Sequence, residues 1–148
     1  MKPEIKPQEI RLGNYLQWKE SDNYVTVTGI SEDAEGWILD YADHETSLEN
    51  GLWLDHFTCI PLTTEWLEKF GFEKYESDEK HFVIRHHKIK IGDYDIDVKI
   101  EMWKGDGKWD DSYSVYYGFD HITTSKYIHH LQNLIQSLTG QELEMKGE

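Results

Sequence analysis

Cysteine is almost absent from this chain of 148 residues. The single Cys59 has no partner with which to form an internal disulfide. A lone thiol fits a reducing compartment, and the nearby Phe57 and Ile60 are typical of a small buried hydrophobe. Long apolar runs are absent too, since no stretch approaches the ~18 residues of a membrane span. Charges spread through the first twenty positions exclude the apolar core of a signal peptide. These absences predict a soluble cytoplasmic protein without a membrane partner.

Positive charge is missing from one long stretch. Between Glu20 and Glu68 the sequence has twelve acidic residues and no Lys or Arg, within a formal net charge of -14 for the chain. A field of one sign repels nucleic-acid phosphates and attracts basic surfaces, so we expect no direct nucleic-acid binding and consider a basic protein as partner. The alternative is that the stretch is only a solvated face.

Catalytic motifs are also missing. The sequence has no Gly-x-Ser-x-Gly elbow, no Gly-rich phosphate loop and no cysteine with a plausible base beside it. Whether the protein is an enzyme stays uncertain, with a non-enzymatic protein favoured, and no catalytic residue and no cofactor are predicted. A site built from separated carboxylates remains the alternative.

The eight histidines do not predict a metal site. His86 and His87 on a strand would point to opposite faces, and His129 and His130 on a helix would diverge by about a quarter turn. Neither pair is therefore expected to chelate one ion. The sequence has no His-x-x-x-His spacing, and Cys59 has no second thiol, so we predict no metal.

Short strands are predicted for residues 10–60. Valine and threonine alternate within Tyr24–Ile30, as in a strand with one buried face. Several strands in about fifty residues favour a small bent β-sheet or a partly open barrel. Pro61 ends this pattern, and Thr63 or Thr64 is expected to cap a short helix.

The remaining sequence predicts a sheet followed by a helix. Apolar residues recur at every second position from Tyr94 to Met102, which indicates a strand. Apolar residues then recur at helical spacing from Tyr127 to Leu138, where Thr124 or Ser125 would cap the helix and Gly140 would end it.

The order of strands, helix, strands and helix predicts an α+β fold. We expect a single domain over residues 1–148. Its first half, residues 8–60, would be β-barrel-like, and its second half, residues 61–145, would be an antiparallel sheet with the C-terminal helix packed on it.

A dense basic cluster is the first candidate ligand site, formed by Arg85, His87, Lys88 and Lys90. Arg85 is one of two arginines in an acidic chain. A guanidinium fork and two ammonium groups suit a small anionic ligand such as a nucleotide. The alternative is that the cluster neutralises the acidic half of the chain across an internal interface.

The back of the last helix is the second candidate, because it carries neutral polar side chains: His129, Gln132, Asn133 and Gln136. No charged residue occurs between Lys126 and Glu142. A neutral amide face indicates contact with the N-terminal half, with a second copy in a homo-oligomer, or with a ligand. Hydrogen bonding to neighbouring backbone is the alternative use.

Three tryptophans complete the candidate ligand-binding set. Trp18, Trp103 and Trp109 lie at predicted strand ends or in a polar turn. An exposed ring there could stack on a base or grip a partner protein, whereas packing in the core or at its rim is the alternative for each.

Four segments of the chain carry a family resemblance: IRLGNY at 10–15, IPLTTEWLEKFGF at 60–72, YIHHLQNL at 127–134 and LTGQEL at 138–143. They resemble an uncharacterised family of phage, prophage and mobile-element proteins of Bacteroidetes-type bacteria. The resemblance implies an origin and an architecture, and it brings no activity with it. It favours the class of small accessory viral proteins that act on a host component.

These observations predict a non-enzymatic phage accessory protein that binds and sequesters or inhibits a component in the cytoplasm of a bacterial host. The candidate targets are a nucleotide signal of antiviral defence and a basic defence protein docked on the acidic half. An enzyme that degrades such a nucleotide and a structural or assembly protein are the alternatives.

Overall fold

The computed structural model describes residues 5–21, 23–43, 49–78, 82–91, 93–105, 108–109, 113–117, 120–143 and 145. Within them the chain forms two antiparallel sheets and two α-helices, so the predicted α+β class is confirmed. The chain divides into two compact units. The N-terminal unit comprises Met1–Pro61 and Tyr127–Leu134, and the C-terminal unit comprises Leu62–Lys126 and Ile135–Glu148. The first two turns of the last helix thus belong with the N-terminal residues.

The N-terminal unit is built on a five-stranded antiparallel sheet. Its strands are β1 (Tyr15–Trp18), β2 (Tyr24–Asp33), β3 (Gly36–Asp43), β4 (Glu49–Trp53) and β5 (Phe57–Thr58). Their order in the sheet is β4-β3-β2-β1-β5. The sheet is open, with β4 at one edge and β5 at the other, and a single 3-10 turn, Leu54–His56, connects these two strands.

The β2–β3 hairpin follows from local sequence chemistry. Val25 and Val27 are buried, as the alternation predicts. Asp33 closes the turn, because its Oδ1 accepts hydrogen bonds from the backbone N of Glu35 at 2.8 Å and of Gly36 at 3.1 Å. The pairing register shifts between Val27 and Gly29. A bulge of this kind increases the local twist of the sheet.

Aromatic and aliphatic side chains from all parts of this sheet form the core of the N-terminal unit. Leu16, Val25, Leu39 and Phe57 are almost fully buried. Trp18 packs against this cluster, with its ring centroid 4.8 Å from that of Phe57. Apolar burial of this kind stabilises the folded state by roughly 25 cal/mol per Å² removed from water.

The C-terminal unit contains one short helix and a larger antiparallel sheet. Its elements are α1 (Thr64–Lys69), β6 (Glu73–Asp78), β7 (Phe82–Ile91), β8 (Tyr94–Gly105), β9 (Lys108–Trp109), β10 (Tyr113–Tyr117) and β11 (Asp120–Ser125). The sheet order is β11-β10-β8-β7-β6, and β9 pairs with β8. The period-two prediction for β8 is confirmed from Val98 to Met102, where alternate side chains are buried. Tyr94, at the start of the same face, is exposed.

The predicted start of α1 and the predicted end of α2 are confirmed. Thr63 caps α1 by accepting a hydrogen bond from the backbone N of Trp66 at 3.2 Å. Helix α2 (Ile128–Thr139) is followed by Gly140, whose φ of 74° is the left-handed conformation that ends a helix. The prediction that Thr124 or Ser125 caps α2 is wrong. Both residues lie in β11 and pair with β10, so their backbone is already committed to a sheet.

Candidate functional site

The amide of Gln132, in α2, is directed at the backbone of its own unit. The backbone N of Tyr15 donates to Gln132 Oε1 at 2.8 Å, and Gln132 Nε2 donates to the carbonyl oxygen of Gly13 at 3.2 Å. Gln132 is almost fully buried. A side chain enclosed in this way offers no open surface to a ligand or a second copy.

The neighbouring Asn133 also forms hydrogen bonds to the N-terminal residues. Its Nδ2 donates to the carbonyl oxygen of Glu9 at 2.6 Å, and its Oδ1 accepts from Asn14 Nδ2 at 2.8 Å and from Arg11 Nε at 3.2 Å. The amide-rich surface of α2 therefore holds residues 9–15 in place, which is the internal hydrogen-bonding alternative. Gln136, one turn later, is half-buried and belongs to the C-terminal unit.

The basic cluster of β7 is divided between two faces and partly neutralised. Arg85 Nη1 lies 3.0 Å from Glu68 Oε1, and the Arg85 side chain is only 15% exposed. His86 Nδ1 lies 3.2 Å from Asp97 Oδ1. The arginine of this cluster is thus paired with a carboxylate of its own unit.

Two of the remaining members of the cluster, His87 and Lys88, have described side chains, and they differ in their surroundings. His87 packs its ring against Phe72, with centroids 5.3 Å apart, while Lys88 is exposed. The backbone of Lys90 lies in β7, and its side chain lies outside the part of the structure that is described. Successive strand residues alternate between faces, which separates side chains that are adjacent in the sequence.

Of the three candidate tryptophans, Trp18 is part of the core. Its Nε1 donates to Asp43 Oδ2 at 3.0 Å, and its ring meets that of Tyr41 edge-on at 5.1 Å. Packing at the core, the alternative use, accounts for this residue. The backbones of Trp103 and Trp109 lie in β8 and β9, and their side chains lie outside the described part.

A different pair of tryptophans lines a cavity of about 520 Å³ in the N-terminal unit. The lining residues are Ile5, Lys19, Glu35, Gly36, Trp37, Trp53, Leu54, Asp55 and Phe57. Trp53 is 37% exposed. Sequence reasoning missed Trp37 and Trp53, because they lie on different strands and the cavity between them depends on the pairing of β3 with β4.

The cavity lies in a strongly acidic setting. Glu35 and Asp55 belong to its lining, and Lys19 is the only cation among the described lining residues. Further exposed carboxylates lie in the β2–β3 hairpin and shortly before it in sequence, namely Glu20, Glu32, Asp33 and Asp40. Because β2 to β5 contain no Lys or Arg, this part of the sheet combines acidic side chains with apolar aromatic surface.

A second cluster in the N-terminal unit contains possible metal ligands. Glu9, His129 and His130 each place one ligand atom so that all three atoms lie within 4.8 Å of one another. The prediction that the two imidazoles diverge is wrong, since their ring centroids are 4.3 Å apart. Side-chain rotation brings adjacent helix residues together here. Glu9 is more than a hundred positions away in sequence, so no spacing motif could reveal it.

None of the helices in the described ranges is long and apolar enough to cross a lipid bilayer. Comparison of the chain with models of protein families, with curated proteins and with solved structures finds no match.

Proposed function

We propose that this protein is a non-enzymatic binding protein whose N-terminal unit docks a basic partner protein on its acidic, tryptophan-lined face. The cavity beside Trp37 and Trp53 is the observation that carries the proposal. Its volume of about 520 Å³ falls within the range of roughly 300–1,000 Å³ that is typical of binding pockets. It therefore has room for an anchoring side chain.

The chemistry of the lining favours an arginine or a lysine as that anchor. Indole faces attract cations by about 0.5–2 kcal/mol, depending on how far the pair is removed from water. The carboxylates of Glu35 and Asp55 lie in the same lining and would pair with the cation. The surrounding acidic residues would steer a basic surface toward the cavity.

The anionic target receives less support from the described contacts. A nucleotide would need several free cations, yet among the described side chains of the basic cluster Arg85 is paired with Glu68, and Lys88 is the exposed cation. The internal engagement of Gln132 and Asn133 also removes the amides that would read a base. We therefore rank a basic protein above a small anion.

The family resemblance supplies the biological setting of the proposal. In a phage or mobile element, binding of this kind would sequester or inhibit a basic host protein, such as a defence factor that itself binds nucleic acid. The acidic face would then compete with nucleic acid for that protein. The host cytoplasm is the proposed location, which is consistent with one free buried thiol.

The test begins with a defined probe. An arginine-rich peptide, and the same peptide with citrulline in place of arginine, are titrated against the full chain at low and high salt. We expect salt-sensitive binding of the arginine peptide alone. Trp53→Ala should weaken it about fivefold, as expected for the loss of ~1 kcal/mol. The matched control is Tyr94→Ala, which removes an exposed aromatic ring from the C-terminal unit.

The partner is then sought by parallel capture from a bacterial lysate with the wild type and Trp53→Ala. Equal binding by Trp53→Ala and Tyr94→Ala, or tighter binding at high salt, would contradict the proposal. A panel of signalling nucleotides is the counter-test. Recovery of an intact nucleotide, lost in Arg85→Gln, would favour the anionic target, and recovery of a changed nucleotide would mean an enzyme.

A further inference from the structure

The Glu9, His129 and His130 cluster joins two distant parts of the chain. Glu9 ends the 3-10 turn Pro7–Glu9, while the two histidines lie in the first turn of α2. Glu9 Oε2 lies 2.8 Å from His130 Nε2 and 3.7 Å from His129 Nε2. Asn133 holds the backbone of Glu9 through the 2.6 Å hydrogen bond described above. The cluster is therefore positioned by regular structure.

The separations match those of ligands around one small ion. With metal–nitrogen and metal–oxygen bonds of ~2.0–2.2 Å, ligand atoms at the corners of a tetrahedron lie ~3.3–3.5 Å apart. The distances of 2.8 and 3.7 Å from Glu9 Oε2 to the two imidazoles bracket that value. Small side-chain rotations would bring the three atoms onto a common centre.

His129 supplies an independent observation that points to a ligand. The residue is fully buried, and neither ring nitrogen has a hydrogen-bond partner among the described residues. A buried polar atom left without a partner costs roughly 1–3 kcal/mol. An ion bound at Nε2 would satisfy the acceptor nitrogen of this ring.

Burial is the main influence on the electrostatics of His129, and it lowers the pKa of this residue to about 4. The hydrogen bond from His130 is the main cause that lowers the pKa of Glu9, which keeps its carboxyl ionised.

The surroundings of the cluster restrict it on one side and open it on the other. The ring of Tyr127 stacks on that of His129 at 6.1 Å and meets that of His130 edge-on at 5.5 Å. The side chains of His130 and Glu9 are 34% and 37% exposed. An ion can thus enter from solvent, and a water molecule can complete its coordination.

We propose that Glu9, His129 and His130 form a site for one divalent transition-metal ion, with Zn²⁺ as the reference ion. Two imidazole nitrogens with one carboxylate are a ligand set of zinc and of other borderline ions, whereas Mg²⁺ and Ca²⁺ prefer oxygen ligands alone. Three protein ligands leave a coordination position for water. Bound metal would also tie residue 9 to α2 and so stabilise the N-terminal unit.

The test uses the full chain after treatment with EDTA. Zn²⁺ is titrated by calorimetry in the presence of excess Mg²⁺, which occupies the scattered surface carboxylates. We expect one ion per chain, and a loss of affinity of at least tenfold in both Glu9→Gln and His130→Ala. The matched control is His56→Ala, which removes an exposed histidine of the same unit that is outside the cluster.

A second variant separates metal binding from a structural role. His129→Leu keeps a similar volume and removes the two unpartnered nitrogens. Its metal-free melting temperature should equal or exceed that of the wild type, and its response to Zn²⁺ should be lost. A large loss of metal-free stability would mean that the imidazole is structural and would contradict the proposal.

Two further results would overturn the site. One is the absence of stoichiometric Zn²⁺ binding by the wild type. The other is a loss of affinity in His56→Ala as large as that in His130→Ala. Should a variant fail to fold by circular dichroism, the visible spectrum of the Co²⁺-loaded wild type decides: intense bands of a tetrahedral site support the proposal, and the weak spectrum of aqueous Co²⁺ overturns it.

Discussion

Gln132 Oε1 accepts a hydrogen bond from the backbone N of Tyr15 at 2.8 Å, across 117 positions of sequence. Gln132 Nε2 donates a hydrogen bond to the carbonyl oxygen of Gly13. A buried amide with both of its ends satisfied in this way replaces the water that the two backbone groups would otherwise need. The first half of α2 is thereby attached to the start of β1.

Replacing Gln132 by leucine should therefore destabilise the protein. The change removes the hydrogen bonds that Gln132 makes to the backbone N of Tyr15 and to the carbonyl oxygen of Gly13, which should lower the free energy of unfolding by about 2–4 kcal/mol. Urea denaturation measures the change. Gln136→Leu, on the same helix, serves as the control and should shift the value by less than ~0.5 kcal/mol. Similar values for the two variants would contradict this interpretation.

The ion pair between Arg85 and Glu68 predicts an asymmetric response. The arginine is largely buried and its Nε has no hydrogen-bond partner among the described residues, whereas the glutamate side chain is 57% exposed. Glu68→Gln leaves the Arg85 charge in a poorly hydrated position and should lower the free energy of unfolding by about 1 kcal/mol. Arg85→Met removes both that charge and the Nε atom that has no partner, so it should lower the free energy of unfolding by less. Unfolding curves of the two variants test whether Glu68→Gln is the more destabilising change. A fully solvated ion pair would not produce this difference.

Gly29 is predicted to be needed for a steric reason. A Cβ at this position would lie 2.6 Å from Asp40 Oδ2 and 3.1 Å from Asp40 Cβ on the neighbouring strand. Gly29→Ala should lower the melting temperature, with a cost of roughly 1 kcal/mol. In an Asp40→Gly background the same change should cost much less, when the double variant is compared with Asp40→Gly alone. An equal cost in both backgrounds would mean that the clash is not the cause.

Cys59 should be unreactive in the folded, zinc-free protein. Burial, assisted by the negative charge of Glu9, raises the pKa of this thiol from 9.0 to about 11. At pH 8 alkylation by iodoacetamide should be slow and should accelerate on unfolding in urea. Because the unfolded chain releases the thiol proton first, stability should fall as pH rises from about 9 to 11. Rapid alkylation of folded protein at pH 8 would disprove the burial argument.

Local patterns predicted the regular elements well, for identifiable reasons. The alternation in β8 and the helical spacing in α2 depend on residues two to four positions apart, and such spacings are visible in any sequence. The Thr63 cap and the Gly140 stop are equally local. The prediction for Thr124 and Ser125 was wrong because cap residues are also common in strands, and pairing with β10 decided between the two uses.

The candidate sites were predicted less well, because each depends on contacts between distant residues. The basic cluster looked gathered in sequence, but strand geometry directs its side chains to alternate faces and Glu68 engages its arginine. The amide surface of α2 was recognised, while the choice between backbone, ligand and second copy required its partners at residues 9–15.

By itself the sequence determined the α+β class, the acidic and cation-free stretch from Glu20 to Glu68 and the end of α2. Each of these is a property of composition or of neighbouring residues. Only the tertiary structure decided that Trp37 and Trp53 line one cavity and that Glu9 meets two histidines. Such contacts form between groups that sheet pairing and helix docking bring together from distant parts of the chain. No short-range spacing in the sequence predicts these contacts.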